Sequence, residues 1–170
     1  MSEAARNGAA GKSSGSDARA LRVGLISDTH GLLRPEALVF LAGSDLIVHG
    51  GDVGEPAILD ALAGIAPVVV VRGNNDRGPW AERLRESELV RAGEIWIYAI
   101  HDRAQIEIDP AATGVGVVVS GHSHKPSVER RDGILFVNPG SAGPRRFRLP
   151  ISVGELTVRG DAVSARTVEL

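Results

Sequence analysis

At 170 residues, 43% of them hydrophobic and 24% charged, the chain is long enough to bury one sizeable core, and its net charge of −2 gives no general nucleic-acid or membrane-surface binder. Cysteine is absent, which excludes a disulfide framework or thiolate site and fits a reducing cytoplasm. No apolar run approaches the ~20 residues that a membrane span needs.

The first 20 residues hold Gly8, Gly11, Ser13, Ser14, Gly15 and Ser16 and no signal-peptide-like apolar stretch. They read as a disordered tail before one domain over 21–170. Gly11-Lys12-Ser13 has the look of a phosphate loop, but Arg6 stands where that loop needs glycine and no strand precedes it. Residues 21–26 predict a strand. Residues 34–42 predict a helix, with Leu38 and Leu41 at helical spacing and Gly43 ending it. A strand follows at 45–48, then a helix at 55–63 with Pro56 in its first turn and Gly64 after it. The β-branched run 68–71 predicts a buried strand. The order βαβαβ implies a right-handed parallel sheet with covering helices. A short helix is expected at 79–88, then strands at 89–90, 95–100, 115–120, 134–138, 151–157 and 162–168. Asp132-Gly133 and Arg159-Gly160-Asp161 suggest hairpins. This second half reads as a mainly antiparallel or mixed sheet, packed face to face on the first with helices outside.

Ligand-type residues recur after these strands. Asp28-Thr29-His30, Gly51-Asp52 and Gly73-Asn74-Asn75-Asp76 follow the first three, and His101 and Gly121-His122-Ser123-His124 follow two later ones. Ligands of open α/β sheets bind at the carboxyl ends of strands, so the pieces predict one shared site. Asp28 and His30 are two apart, as are His122 and His124, and residues i and i+2 at a strand end point to the same side. Asp52 is the spare carboxylate, able to bridge two metals. Asn74 offers a neutral oxygen and His101 a further imidazole. Mixed N/O ligation without sulfur suits manganese, iron, zinc, cobalt or nickel and does not choose among them. Two divalent ions bring four positive charges against the two of Asp28 and Asp52, and the remainder favours hydroxide and an anionic substrate. Two metals ~3.5–4 Å apart activate water and stabilise both oxygens of an in-line displacement.

These residues resemble the calcineurin-like metallophosphoesterase superfamily, and most of all its small bacterial and archaeal single-domain phosphodiesterases. The resemblance covers roughly 22–156, and Asn138-Pro139-Gly140-Ser141 followed by Pro144-Arg145 is a further mark of the small subgroup. It implies a four-layer α/β/β/α sandwich of two mixed sheets flanked by helices. Carried over, Asp28, His30, Asp52 and His124 would hold the first metal. Asp52, Asn74, His101 and His122 would hold the second, with Asp52 bridging. A hydroxide between the metals would attack phosphorus in line. The implied activity is hydrolysis of a small phosphate ester, with phosphodiesters foremost; a phosphomonoesterase or nucleotide hydrolase is the same chemistry on another substrate. The rival is a non-catalytic interaction module, because the retromer scaffold subunit shares the fold with its ligand positions eroded; here all seven positions are intact. A homo-oligomer is implied by resemblance alone.

Two departures bear on turnover. Many members place histidine after the metal-binding asparagine, where this chain has Asn75, which can donate a hydrogen bond but not act as an acid. Close relatives commonly read His-Gly-His where this chain reads His101-Asp102-Arg103, which adds a negative and a positive charge near the mouth. Asp52, Asn74 and Asn75 are thus the candidate catalytic residues, and Asn75, Arg77 and Arg145 the candidate substrate contacts. Arg146 reads as solvated. His49 either supports Asp52 or hydrogen-bonds beneath the turn, and Asp76 reads as a tie for its loop. Ser141 could hydrogen-bond near the site but has no base to make it a nucleophile. Gly51, Gly73, Gly121 and Gly140 read as tight turns. Trp80 and Trp96 read as packing, with too few aromatics for single-strand binding.

Overall fold

The computed structural model describes residues 19–170. The expected tail and the rejected phosphate loop fall almost wholly on 1–18 and lie outside the described residues.

The first half follows the expected order. Strand β1 (Leu21–Ile26) leads to helix α1 (Pro35–Leu41), then β2 (Leu46–His49), α2 (Pro56–Ala63) and β3 (Val68–Val70). Both helices begin on proline, whose fixed φ suits the first helical turn and whose missing N–H is no loss there. Gly43 follows α1 at φ +79, a left-handed conformation that stops the helix. Gly64, by contrast, caps α2 in the right-handed region. The three strands pair in parallel, β1 with β2 and β2 with β3.

The second half comprises β4 (Ser87–Ala92), β5 (Ile95–Ile100), β6 (Val115–Val119), β7 (Ser127–Arg131), β8 (Ile134–Asn138), β9 (Ser152–Arg159) and β10 (Ala162–Glu169). The expected helix over 79–88 is a single 3-10 turn at Ala81–Arg83. Ser87 already pairs with Ile100, and Ala92 and Val90 pack on the core, so strand pairing overrides the local helical preference. Strand β7 has no sequence signal: Ser-Val-Glu-Arg-Arg is a charged edge strand, whose polarity protects an open edge.

The strands form two five-stranded mixed sheets, β10-β9-β1-β2-β3 and β4-β5-β6-β8-β7. The last two strands therefore return to the first sheet, antiparallel to β1. Strand β9 is buried on both faces over most of its length and needs the interior place beside β1. Val23, Leu25 and Val48 face Ile97, Val117 and Val137 across the space between the sheets. Ile26, Ile47 and Val153 pack under the helices against Leu41 and Leu62. The outer face of the second sheet, with Tyr98, Ile100 and Val118, is covered by Ile106 and Ile108, which follow a 3-10 turn at Arg103–Gln105. The sandwich is as expected, with this outer layer a turn and its following segment among the described residues. No helix among them is long and apolar enough to cross a membrane.

Candidate metal centre

Strands β5, β6 and β8 run parallel to one another, as do β1, β2 and β3. The loops leaving these strands' carboxyl ends meet at one place. Backbone bonds fasten the first two together, from Asp28 N–H to Gly51 O (3.0 Å), His30 N–H to Asp52 O (2.9 Å) and Gly31 N–H to Val53 O (2.9 Å). Gly121 N–H donates to His101 O (3.0 Å), and Ala142 N–H to Ser27 O (3.0 Å).

The structure brings all seven expected ligands together. His30 Nε2 lies 3.2 Å from His124 Nε2, and His124 Nε2 lies 3.2 Å from Asp28 Oδ1. On the other side, Asn74 Oδ1 lies 3.1 Å from His101 Nε2 and 3.2 Å from His122 Nδ1. Asp52 Oδ2 stands between the halves, 3.7 Å from His30 Nε2 and 3.4 Å from His101 Nε2. Neighbouring ligands around one ion, at bond lengths of about 2.0–2.2 Å, stand roughly 3.0–3.5 Å apart, so these spacings fit metal binding. Asp28 adds a second sign. Its Oδ2 accepts from Ser27 Oγ (2.7 Å) and His122 N–H (3.2 Å), while Oδ1 is buried without a hydrogen-bond partner. An orphaned buried carboxylate oxygen among imidazoles is what a cation would satisfy.

The local geometry differs from simple strand alternation. Asp28, His30, Asp52, His122 and His124 all adopt positive φ, between 45° and 67°. Such backbone costs on the order of 1 kcal/mol or more per residue and gathers at functional sites. One consequence is that His122 and His124 diverge: His124 joins Asp28 and His30, whereas His122 joins Asn74 and His101. Glycine permits the close approach of the loops. A Cβ on Gly73 would stand 2.1 Å from Asp52 N and Oδ1, and one on Gly121 would stand 2.0 Å from Ser27 Oγ.

Supporting contacts fix the donors. His101 Nδ1 meets Gly50 O at 2.7 Å; a proton on Nδ1 leaves the Nε2 lone pair able to bind a metal. Asn75 donates its backbone N–H to Asp52 Oδ1 (2.8 Å) and its Nδ2–H to Asp52 Oδ2 (2.9 Å). Burial alone would raise the Asp52 pKa, but the bonds from His101 and Asn75 outweigh it and hold the carboxyl well below the usual range. Burial likewise opposes the charged form of His101, and the Asp52 contact and the Gly50 carbonyl override it to raise that imidazole. His30 moves down, chiefly through burial, against Asp52 and Asp28, with the Arg146 guanidinium adding to the effect.

His49 serves the turn and not the Asp52 side chain. Its Nδ1 accepts from Gly51 N–H (3.1 Å), so Nε2 carries the proton and donates to Thr29 Oγ1 (3.0 Å), which donates to Val53 O (2.8 Å). Full burial pushes its pKa down to about 4. Asp76 is the expected tie, accepting from Gly54 N–H (2.9 Å) and Gly73 N–H (2.8 Å). Ser141 Oγ donates to Asp28 O (3.0 Å). Sequence reading overlooked Asn138 except as part of a motif; its amide donates to Gly121 O (2.8 Å) and Ser123 Oγ (3.0 Å), and Oδ1 accepts from Gly140 N–H (2.9 Å). The signal was the Asn-Pro-Gly turn.

A cavity of about 310 Å³ adjoins the Asn74 side, lined by Arg72, Asn74, Glu86, His101, Asp102 and His122. Asp102 stays near this mouth, with Oδ2 3.9 Å from His122 Nε2. Arg103 lines a neighbouring cavity with Asp102 and His122, but its guanidinium is paired with Glu129 (2.9 Å) and lies 4.1 Å from the Phe136 ring centroid. Arg77 and Arg145 are exposed, in the segments that follow Asp76 and Gly143. Trp80 packs on the helix-side core and Trp96 lies beneath Arg91, as packing residues.

Residues 21–161 match the calcineurin-like phosphoesterase superfamily domain. A probable metallophosphoesterase of Methanothermobacter thermautotrophicus is 38% identical over 158 residues, covering 86% of this chain and 91% of that protein. Among solved structures, an archaeal phosphodiesterase superimposes with a TM-score of 0.75 at 20% identity, covering 88% of this chain and all (100%) of that one. Vacuolar protein sorting 29 of Cryptosporidium parvum gives a TM-score of 0.76 at 24% identity, covering 89% and 92%. At those identities the two structures speak for the fold alone. With the domain match spanning most of the described residues and the ligand-type side chains of five strand ends meeting in one place, the chain belongs to the calcineurin-like phosphoesterase superfamily.

Proposed function

We propose that this protein is a cytoplasmic, dinuclear metal-dependent phosphodiesterase acting on a small phosphate ester. The observation that carries the reading is the position of Asp52, whose Oδ2 reaches His30 at 3.7 Å on one side and His101 at 3.4 Å on the other. Asp28, His30, Asp52 and His124 would hold one ion, and Asp52, Asn74, His101 and His122 the other, manganese being the leading candidate. Two divalent ions there would supply activated water and charge stabilisation at the phosphoryl oxygens. The chain's own residues do the positioning. Asn75 holds both oxygens of Asp52 and so keeps the shared carboxylate between the two halves. Gly50 O fixes the His101 ring, and Ser27 and the His122 N–H fix Asp28.

The absence of an acid at position 75 favours diesters with good leaving groups over alkyl monoesters, whose departing oxygen needs a proton. The fold likeness to vacuolar protein sorting 29 suggests a second reading, an interaction module, but the complete ligand set speaks for an enzyme.

The test is hydrolysis of bis(p-nitrophenyl) phosphate by chelated protein before and after Mn²⁺ addition. Restored activity, and a loss on the order of a hundredfold or more in Asp52→Asn together with fewer bound ions, is expected. Bound metal without hydrolysis of any phosphate ester would favour the interaction module.

A further inference from the structure

The two flanks of the metal centre differ in chemistry. On the Asn74 side the cavity carries Glu86 and Asp102, and its cation, Arg72, is already paired with Glu86 at 2.5 Å. The arginines of that flank are both paired, Arg72 with Glu86 and Arg103 with Glu129. On the His30 side runs the loop 144–149, with Arg145, Arg146, Phe147 and Arg148 all exposed. Its root is packed against the ligand loop: a Cβ on Gly143 would stand 2.4 Å from Asp28 O and Thr29 O, and Arg34 Nη2 donates to Gly143 O (3.2 Å). Arg146 follows three residues on from this anchored root. Arg145, Arg146 and Arg148 make no ion pair among the described residues.

Phe147 sits at the centre of the turn closed by Leu149 N–H on Arg146 O (3.1 Å). It is 93% exposed and held at φ +52. A bulky aromatic in the left-handed region is strained, and here no packing compensates for it. A strained, solvent-facing ring between arginines, next to a phosphoryl site, has the make-up of a recognition platform: bases stack on aromatic rings and guanidiniums hold phosphates.

We infer that the loop 144–149 is the substrate-recognition lip of this site and selects nucleotide-type phosphodiesters, with the base stacked on Phe147 and a further phosphate held by Arg146 and its neighbouring arginines. The inference rests on the phosphodiesterase reading above. The single charge of the scissile diester is answered at the metal site, so the arginines are left for the additional phosphate. Hydrolysis is balanced: the oxygen of water bonds to phosphorus, the ester oxygen leaves with the bonding pair, and one proton passes to solvent.

Three Mn²⁺-dependent substrates with one leaving group test it: bis(p-nitrophenyl) phosphate, thymidine 5′-(p-nitrophenyl phosphate), and the latter with a 3′-phosphate. p-Nitrophenolate departs from each, and because the retained ester group differs, recognition is read from how each ratio of kcat/KM changes between wild type and variant, where the intrinsic reactivities cancel. The ratio is expected to rise through the series. Phe147→Ala should lower the base-dependent step on the order of tenfold, Phe147→Tyr should keep it, and Arg146→Gln should flatten the 3′-phosphate step. A second readout is equilibrium binding of thymidine 3′,5′-bisphosphate. Substrate ratios that neither Phe147→Ala nor Arg146→Gln changes overturn the lip while leaving the phosphodiesterase reading standing. No hydrolysis of any substrate, but bisphosphate binding lost in both variants, overturns the phosphodiesterase reading and supports the lip. Neither hydrolysis nor binding overturns both.

Discussion

His49 gives the sharpest physical test of how the site is held. Its imidazole is fully buried, accepts from Gly51 N–H and donates to Thr29 Oγ1, which fixes the neutral tautomer between two ligand loops. Burial depresses its pKa from 6.5 to about 4. A histidine kept neutral in the fold but free to protonate when unfolded stabilises fully above pH 6.5, and that stability is lost as pH falls from 6.5 toward 4. The difference of 2.5 units, at ~1.36 kcal/mol each, is about 3 kcal/mol in all, of which about 2 kcal/mol is lost between pH 7 and pH 5. His49→Gln keeps an amide donor and acceptor and removes the titration. Urea unfolding of chelated protein at pH 7 and pH 5 is the assay. Wild type should lose about 2 kcal/mol more than His49→Gln across that interval, with the other titrating groups cancelling in the comparison. Parallel losses would refute the claim that His49 is held neutral beneath the Gly51-Asp52 turn.

Asn75→Ala removes the Nδ2 bond to Asp52, and the apparent Mn²⁺ affinity, read by competition with a chelator, should weaken roughly ten- to a hundredfold. Gly73→Ala puts a methyl group 2.1 Å from Asp52 N, so metal binding measured by elemental analysis should be lost even where circular dichroism reports a folded sandwich. Asn138→Ala removes the amide that bonds Gly121 O and Ser123 Oγ and the oxygen that accepts from Gly140 N–H, and denaturant unfolding should report a loss of about 1–3 kcal/mol. Across a series of aryl and alkyl diesters, kcat should fall steeply as the leaving-group pKa rises, since Asn75 cannot give a proton; equal rates would contradict that reading.

What could be read in advance follows from which signals are local. The strands β1, β2, β3, β5, β6 and β8 declare themselves as apolar runs, and the ligands stand directly after five of them, so the meeting place followed from the rule that ligands gather at strand carboxyl ends. Strand β7 could not be read, because Ser127–Arg131 is an edge strand defined only by its pairing with β8. The return of β9 to the first sheet was equally invisible: nothing in its alternation distinguishes a place beside β1 from a place beside β8, and the choice is made by burial on both faces. The same limit applies at the site. Asp28, His30, Asp52, His122 and His124 are legible as residue types, but their left-handed backbone is not, since single non-glycine residues enter that region only under tertiary constraint. The constraint here is a mesh of contacts distant in sequence, such as Ser141 on Asp28 O and Asn138 on Gly121 O, that joins the carboxyl ends of both sheets. It explains why His122 and His124, two residues apart, turn to different partners, His124 to Asp28 and His30 and His122 to Asn74. In this fold the sequence spacing of the ligands states which loop supplies them, and the turn geometry decides which half of the site each one joins.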